Sequence, residues 1–73
     1  MTYEILDAHL QNNHIYPIPE RKNGKIISLH VSADPIMKSS KKERLEIILS
    51  DYPVTISEMK NESYILIKLK NKK

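Results

Sequence analysis

Apolar residues follow a helical spacing in one segment of this chain and an alternating spacing in several others. In the helical segment they stand at positions i, i+3, i+4 and i+7, the spacing of one buried helix face. These residues are Leu45, Ile48, Leu49 and Tyr52. Pro53 ends the pattern, because a proline disfavours the helical conformation in the residue before it. We therefore predict a main helix over about residues 40–52.

The beginning of this helix has two candidate signals. Ser40 and Glu43 have the spacing of a capping box, in which each side chain bonds a free backbone N–H of the first turn. Asp34 and Pro35 are a suitable N-cap and first-turn pair. The sequence leaves both starting points open.

Alternating apolar residues after the main helix predict a β-hairpin with strands at about 54–59 and 64–70. The polar residues between the two strands are expected to form its turn. The residues expected to face the core are Val54, Ile56, Ile65, Ile67 and Leu69.

Another hairpin is predicted at about 15–19 and 25–32, joined by a turn that contains Asn23-Gly24. Glycine accepts positive φ without steric cost, which makes this pair a strong turn signal. Pro17 and Pro19 lack backbone N–H groups, so the first strand is expected at a sheet edge. In the returning strand, alternation places Ile27, Leu29 and Val31 toward the core, and Ile26, Ser28, His30 and Ser32 on the opposite face.

The N-terminal segment is predicted to form a short helix over about residues 3–11. Ile5, Leu6 and Leu10 fit one helix face, and Thr2 is a suitable N-cap. A strand through the same residues is the alternative. Asn12-Asn13 is expected to end the helix, because asparagine tolerates the left-handed conformation.

Together these elements predict an α+β fold, a two-layer sandwich in a single domain of residues 1–73. Two isolated hairpins are unstable in water, so their apolar faces are expected to join in one antiparallel sheet covered by the main helix. The order of the strands is not derivable from the pattern. Residues 71–73 are expected to be a basic tail.

Composition narrows the class of protein further. The chain has 73 residues, no cysteine and a formal net charge of +3, and all 12 of its lysines and arginines follow residue 20. No apolar run approaches the roughly 20 residues that span a bilayer, and the first residues lack a signal-peptide pattern. We therefore expect a cytoplasmic protein without a membrane partner. Abundant lysine, isoleucine and asparagine are typical of bacterial or phage proteins from AT-rich genomes.

Two clusters of basic residues are candidate sites for binding nucleic acid or another anion. The first consists of Lys38, Ser39, Ser40, Lys41, Lys42 and Arg44. If the main helix starts at Ser40, free backbone N–H groups, hydroxyls and cations meet there and suit a phosphate. If it starts at Pro35, the same residues lie along a solvated helix face.

The second cluster consists of Tyr64, Lys68 and Lys70 on one face of the last strand, continued by Lys72 and Lys73. Aromatic rings beside lysines are how open sheets bind single-stranded nucleic acid. The alternative is an ordinary solvent face, whose lysines prevent aggregation of a sheet edge.

The sequence predicts no catalytic residue, metal site or cofactor. With one glycine the chain cannot build a glycine-rich phosphate loop, and His9 and His14 do not have the i, i+4 spacing of helical metal ligands. His30 is the one candidate for a general base, which a small ribonuclease or toxin would need. No partner acid for it is identifiable.

We therefore expect a small non-enzymatic binding module that contacts nucleic-acid phosphates through the two basic clusters. The alternative is a protein-interaction adaptor or inhibitor that binds a partner, or a second copy of itself, through a sheet edge. A ribonuclease or toxin is a third hypothesis. The nucleic-acid hypothesis gains support if both basic clusters lie on one surface of the protein, and it loses support if they lie on opposite faces.

Overall fold

The computed structural model describes residues 1–70 and contains two helices and a four-stranded antiparallel sheet. The helices are α1 (Tyr3–Asn12) and α2 (Lys38–Ile48), and a 3-10 turn (Pro35–Met37) leads into α2. The strands are β1 (Ile18–Lys22), β2 (Lys25–Ser32), β3 (Val54–Glu58) and β4 (Tyr64–Leu69). They lie in the order β1-β2-β4-β3, so each hairpin contributes one central strand and one edge strand. This confirms the predicted α+β sandwich.

The core lies between the helices and one face of the sheet. Its most deeply buried side chains are Leu6, Leu10, Leu29, Val31, Leu45, Leu49, Ile65 and Ile67. The apolar stripe predicted for the main helix is confirmed, since Leu45 and Leu49 are buried and Ile48 and Tyr52 pack against them. Each fully buried leucine or isoleucine contributes about 1.5–3 kcal/mol relative to an exposed one, which is how so short a chain holds two layers together.

The helix predicted at the N-terminus is present, and the strand alternative is wrong. Thr2 is its N-cap and accepts a hydrogen bond from the Ile5 backbone N–H. At the other end the left-handed residue is His14 (φ 64°) and not an asparagine. The Ile15 N–H reaches the Leu10 carbonyl around it, and both side chains are buried. This is the Schellman arrangement, in which an apolar contact fastens the end of a helix.

The first hairpin closes through Asn23 (φ 55°) and Gly24 (φ 79°), as the sequence predicts. Lys22 pairs with Lys25 directly beside this turn. The first strand therefore runs over Ile18–Lys22 and not over 15–19, because the tight turn brings residues 20–22 into the ladder. Its predicted position at a sheet edge is confirmed.

A β-bulge in β2 changes which residues face the core. Glu20 pairs with Ser28, but the next residue, Arg21, pairs with Ile26, so Ile27 is an extra residue without a partner in β1. An extra residue reverses the alternation of side chains beyond it. Ile26 accordingly packs against the core and Ile27 is 37% exposed, the opposite of the predicted arrangement.

The hydroxyl of Tyr3 lies between β2 and β4 at this bulge. It donates a hydrogen bond to the Ile27 carbonyl (2.9 Å) and accepts one from the Leu69 backbone N–H (3.0 Å). Ile27 and Leu69 would be the next opposite pair after Leu29 and Ile67 if the ladder continued. The tyrosine therefore replaces a direct contact between the strands and ties α1 to both of them.

The second hairpin and the end of α2 follow the prediction with shifted boundaries. β3 and β4 span 54–58 and 64–69, close to the predicted 54–59 and 64–70. α2 ends at Ile48 and not at residue 52, and a turn in which the Tyr52 N–H bonds the Leu49 carbonyl leads to Pro53. Within residues 1–70, no helix is long and apolar enough to cross a membrane.

Replacing Tyr3 by phenylalanine tests the hydroxyl bridge. Tyr3→Phe keeps the packing of the ring but leaves the partly buried Leu69 N–H without its acceptor. We expect a loss of about 1–2 kcal/mol in the free energy of unfolding, measured by urea denaturation, and faster hydrogen exchange of the Leu69 amide. Unchanged stability and exchange would show that the ladder closes without the hydroxyl. Tyr16→Phe, at an exposed tyrosine, is the control.

Candidate functional site

The residue at which the main helix begins determines whether the first basic cluster lies at a helix N-terminus. Helical structure starts at Pro35 as a 3-10 turn, and α2 follows from Lys38. Ser40 therefore lies inside the helical path, and the residue before α2, Met37, makes no side-chain capping bond. Of the two starting points that the sequence left open, the structure has the one at Pro35. No helix N-terminus lies at Ser40 to attract an anion.

Lys38 is buried, although the sequence places it in the basic cluster. Only 6% of it is exposed, and its ammonium group donates hydrogen bonds to the carbonyls of Met59 and Glu62, both at 2.6 Å. These carbonyls belong to the turn between β3 and β4. The side chain thus fastens that turn to α2, and binding a phosphate would require it to leave both acceptors.

The remaining residues of this cluster spread around α2. Ser39 and Arg44 are exposed, and Lys42 lies 3.9 Å from Glu46 one turn further along the helix. Ser40, Lys41 and Arg44 line an open groove of about 900 Å³ between α2 and the loops that follow α1 and β2. Asp34 and Glu43 line the same groove, so it carries both signs of charge.

The second basic cluster is divided between two sides of the sheet. Ile65 and Ile67 face the helices, so Tyr64 and Lys68 lie on the outer face, which carries no helix. Lys70 follows the end of β4 and lines a cleft with Glu46 and Tyr52 on the helix side. Lys72 and Lys73 lie outside the described residues. The two predicted clusters therefore do not form one surface.

His30 has a carboxylate partner that sequence reasoning missed. On the outer face, its Nε2 atom lies 3.1 Å from Glu20 Oε1, and the Ser28 hydroxyl donates to the same oxygen at 2.9 Å. The His30 ring stacks on Tyr64 with 4.2 Å between ring centroids. The hydrogen bonds from Ser28 and His30 lower the pKa of the Glu20 carboxyl below its ordinary value of 4.5.

This cluster links the two strands of the first hairpin, because Glu20 lies on β1 and Ser28 and His30 lie on β2. Ser28 is 1% exposed, so its hydroxyl cannot reach a substrate. A tight hairpin without a bulge would place Glu20 opposite Ile27 and away from His30, which is why no sequence signal pointed to it. Within residues 1–70, no group of three or more metal-ligating side chains is arranged to hold an ion.

The other two histidines of the chain, His9 and His14, lie apart from His30. His9 joins the two helices, since its ring nitrogen Nε2 lies 3.0 Å from the Ile48 carbonyl and its ring stacks on Tyr52. His14 borders the groove beside α2.

The free edge of β3 is a further surface, and the hydrogen bonds of β4 define it. The Lys70 N–H bonds the Pro53 carbonyl, and Lys68 and Leu66 continue this alternation toward β3. Their partners in β3 are Thr55 and Ser57. The backbone groups of the residues between them point away from β4.

Ile56 and Glu58 therefore present backbone N–H and C=O groups at the sheet edge. The outward N–H of Val54 is already bonded to the Tyr52 carbonyl. The other edge strand, β1, contains Pro19, which has no N–H to offer to another strand. β3 is thus the edge with the better set of donors.

Comparison with known proteins gives no match to this chain, neither to a protein-family model nor to a curated protein or a solved structure.

Substituting Lys38 distinguishes its buried role from that of a surface cation. Lys38→Met removes the donor from two turn carbonyls, and we expect a loss of about 2–3 kcal/mol in the free energy of unfolding. Lys42→Met removes a partly exposed ion pair with Glu46 and should change the free energy of unfolding by no more than about 0.5 kcal/mol. Equal effects in urea denaturation would show that the Lys38 bonds do not stabilise the turn.

The Glu20 carboxylate gives the stability a dependence on pH. Because folding lowers the pKa of Glu20, its ionised form favours the folded state, an effect present above pH 4.5 and lost as the pH falls through the folded-state value. The stability difference between wild type and Glu20→Gln should therefore shrink below that pH. Denaturation at about pH 7 and about pH 3 measures it, with Glu43→Gln as the control for net charge. A difference that stays constant would contradict the hydrogen-bonded cluster.

Proposed function

We propose that this protein is a small non-enzymatic interaction module that binds an additional polypeptide strand at the edge of β3. The observation that carries the proposal is the outward direction of the Ile56 and Glu58 backbone groups. An edge of this kind is a template for a further strand, because main-chain hydrogen bonds supply affinity without requiring a particular sequence.

The composition of β3 supports its pairing with an additional strand. Val54, Thr55 and Ile56 are β-branched and favour extended backbone, and the strand contains neither proline nor lysine. Proteins often protect an exposed edge strand from further pairing with proline or lysine, as β1 does with Pro19. β3 lacks this protection.

A cleft beside β3 supplies a place for side chains of the added strand. It is lined by Val54 and Ile56 on the strand and by Leu49 and Tyr52 after α2. Side chains of a paired strand alternate between the two faces of a sheet, so every second residue would contact this cleft, which Glu46, Ser50 and Lys70 also line. Pockets for alternate side chains are what gives strand addition its specificity.

The nucleic-acid hypothesis has less support. It depends on two basic clusters acting together, but the second cluster is divided between the two sides of the sheet and Lys38 of the first is bonded inside the protein. The ribonuclease hypothesis depends on His30, which is bonded to Glu20 and stacked on Tyr64. Neither arrangement offers a ligand the set of free groups that the β3 edge does.

Selection of peptides from a random library tests the proposal. Glu58→Pro removes one outward N–H from the edge, and Glu58→Ala removes the carboxylate but keeps that N–H. Peptides selected on the wild type should bind Glu58→Ala with similar affinity and Glu58→Pro at least about tenfold more weakly. In NMR spectra they should shift the amide signals of β3.

Equal binding to both variants, or shifts confined to the groove beside α2, would overturn the proposal. Thermal unfolding of each variant shows whether the fold is kept. Binding of DNA or RNA at about 50 mM salt that falls steeply with added salt would instead favour the nucleic-acid hypothesis.

A further inference from the structure

We infer that the strand added at β3 is β3 of a second copy of this chain, paired antiparallel about a two-fold axis at Ile56. This inference rests on the proposed function and names the partner of the same edge. The two four-stranded sheets would then form one continuous sheet across the dimer.

The backbone groups at the edge fit this register. In it, the Ile56 N–H donates to the carbonyl of the partner's Ile56, and the Glu58 N–H donates to the carbonyl of the partner's Val54. Symmetry repeats both bonds in the other direction. The reciprocal bond, from the Val54 N–H to the carbonyl of the partner's Glu58, does not form, because that N–H is already bonded to the Tyr52 carbonyl.

The side chains are also self-complementary in this register. On the outer face, Thr55 stands opposite the partner's Ser57, and hydroxyl pairs of this kind are favourable across strands. On the helix face, Ile56 meets its own copy and Glu58 meets the partner's Val54. No like charges face each other, whereas an axis at Glu58 would bring two carboxylates together.

This axis also uses the whole strand. Centring the pair on Ile56 lets all five residues of β3 take part, from Val54 to Glu58. An axis at Thr55 would leave Glu58 beyond the partner strand, so the bond from the Glu58 N–H would be lost.

The helix side of the interface supplies apolar area and both signs of charge. Because the joined sheet is continuous, the α2 helices of both copies lie on its same face. The cleft beside β3 then meets its symmetry copy, which covers the half-buried side chains of Tyr52, Val54 and Ile56. Glu46 and Lys70 line the same cleft, so each copy offers a cation and a carboxylate to the other.

Sedimentation equilibrium of the full chain tests this inference. We expect a monomer–dimer equilibrium between about 10 μM and 1 mM, with a dissociation constant raised at least about tenfold in Glu58→Pro and little changed in Glu58→Ala. A wild type that stays monomeric over this range overturns the inference. If the selected peptides still bind that monomer at β3, the proposed function stands and only the identity of the partner is wrong.

A pair of double variants tests the register. Thr55→Lys/Ser57→Lys places lysines opposite each other across the axis and should weaken the dimer at least about tenfold. Thr55→Glu/Ser57→Lys places opposite charges there and should restore it to the wild-type level or beyond. Thr55 and Ser57 are both exposed, and urea denaturation shows whether each variant keeps the fold. Equal dissociation constants for the two variants overturn the axis at Ile56.

Discussion

The Tyr3 hydroxyl and the Ile27 bulge form the contact on which most of the structure depends. The bulge reverses the alternation of side chains in β2, so Ile26 faces the core and Glu20 pairs with Ser28 beside His30. The hydroxyl bonds the carbonyl of the extra residue and the backbone of β4. A single side chain from the N-terminal helix therefore connects the bulge of one hairpin to the central strand of the other.

Lys38 shows how tertiary structure can change the meaning of a charged residue. In the sequence it belongs to a run of basic and hydroxyl residues and looks like part of an anion site. In the folded chain its ammonium group lies between two carbonyls of the β3–β4 turn, because α2 begins beside that turn. A buried cation with two acceptors is satisfied internally, and it leaves a smaller cationic surface than the sequence suggests.

The strand order determines which edges the protein presents. The helix between the hairpins lets the last strand return to the middle of the sheet, so β4 pairs with both β2 and β3. This leaves β1 and β3 at the edges, one with a proline that removes a donor and the other without such protection. The alternation of side chains in β4 separates the basic residues, because it places Lys68 on the outer face, whereas α2 covers the other face.

The sequence by itself determined the elements and most of the core, because the period of apolar residues is a local property. The helical stripe around Leu45 and Leu49, the Asn23-Gly24 turn and the alternation of Ile65 and Ile67 all follow from neighbours along the chain. Tertiary structure alone decided the strand order, the bulge, the burial of Lys38 and the pairing of Glu20 with His30. Each of these depends on contacts between residues distant in the sequence, and a one-residue change of register is enough to move a side chain to the other face of a sheet.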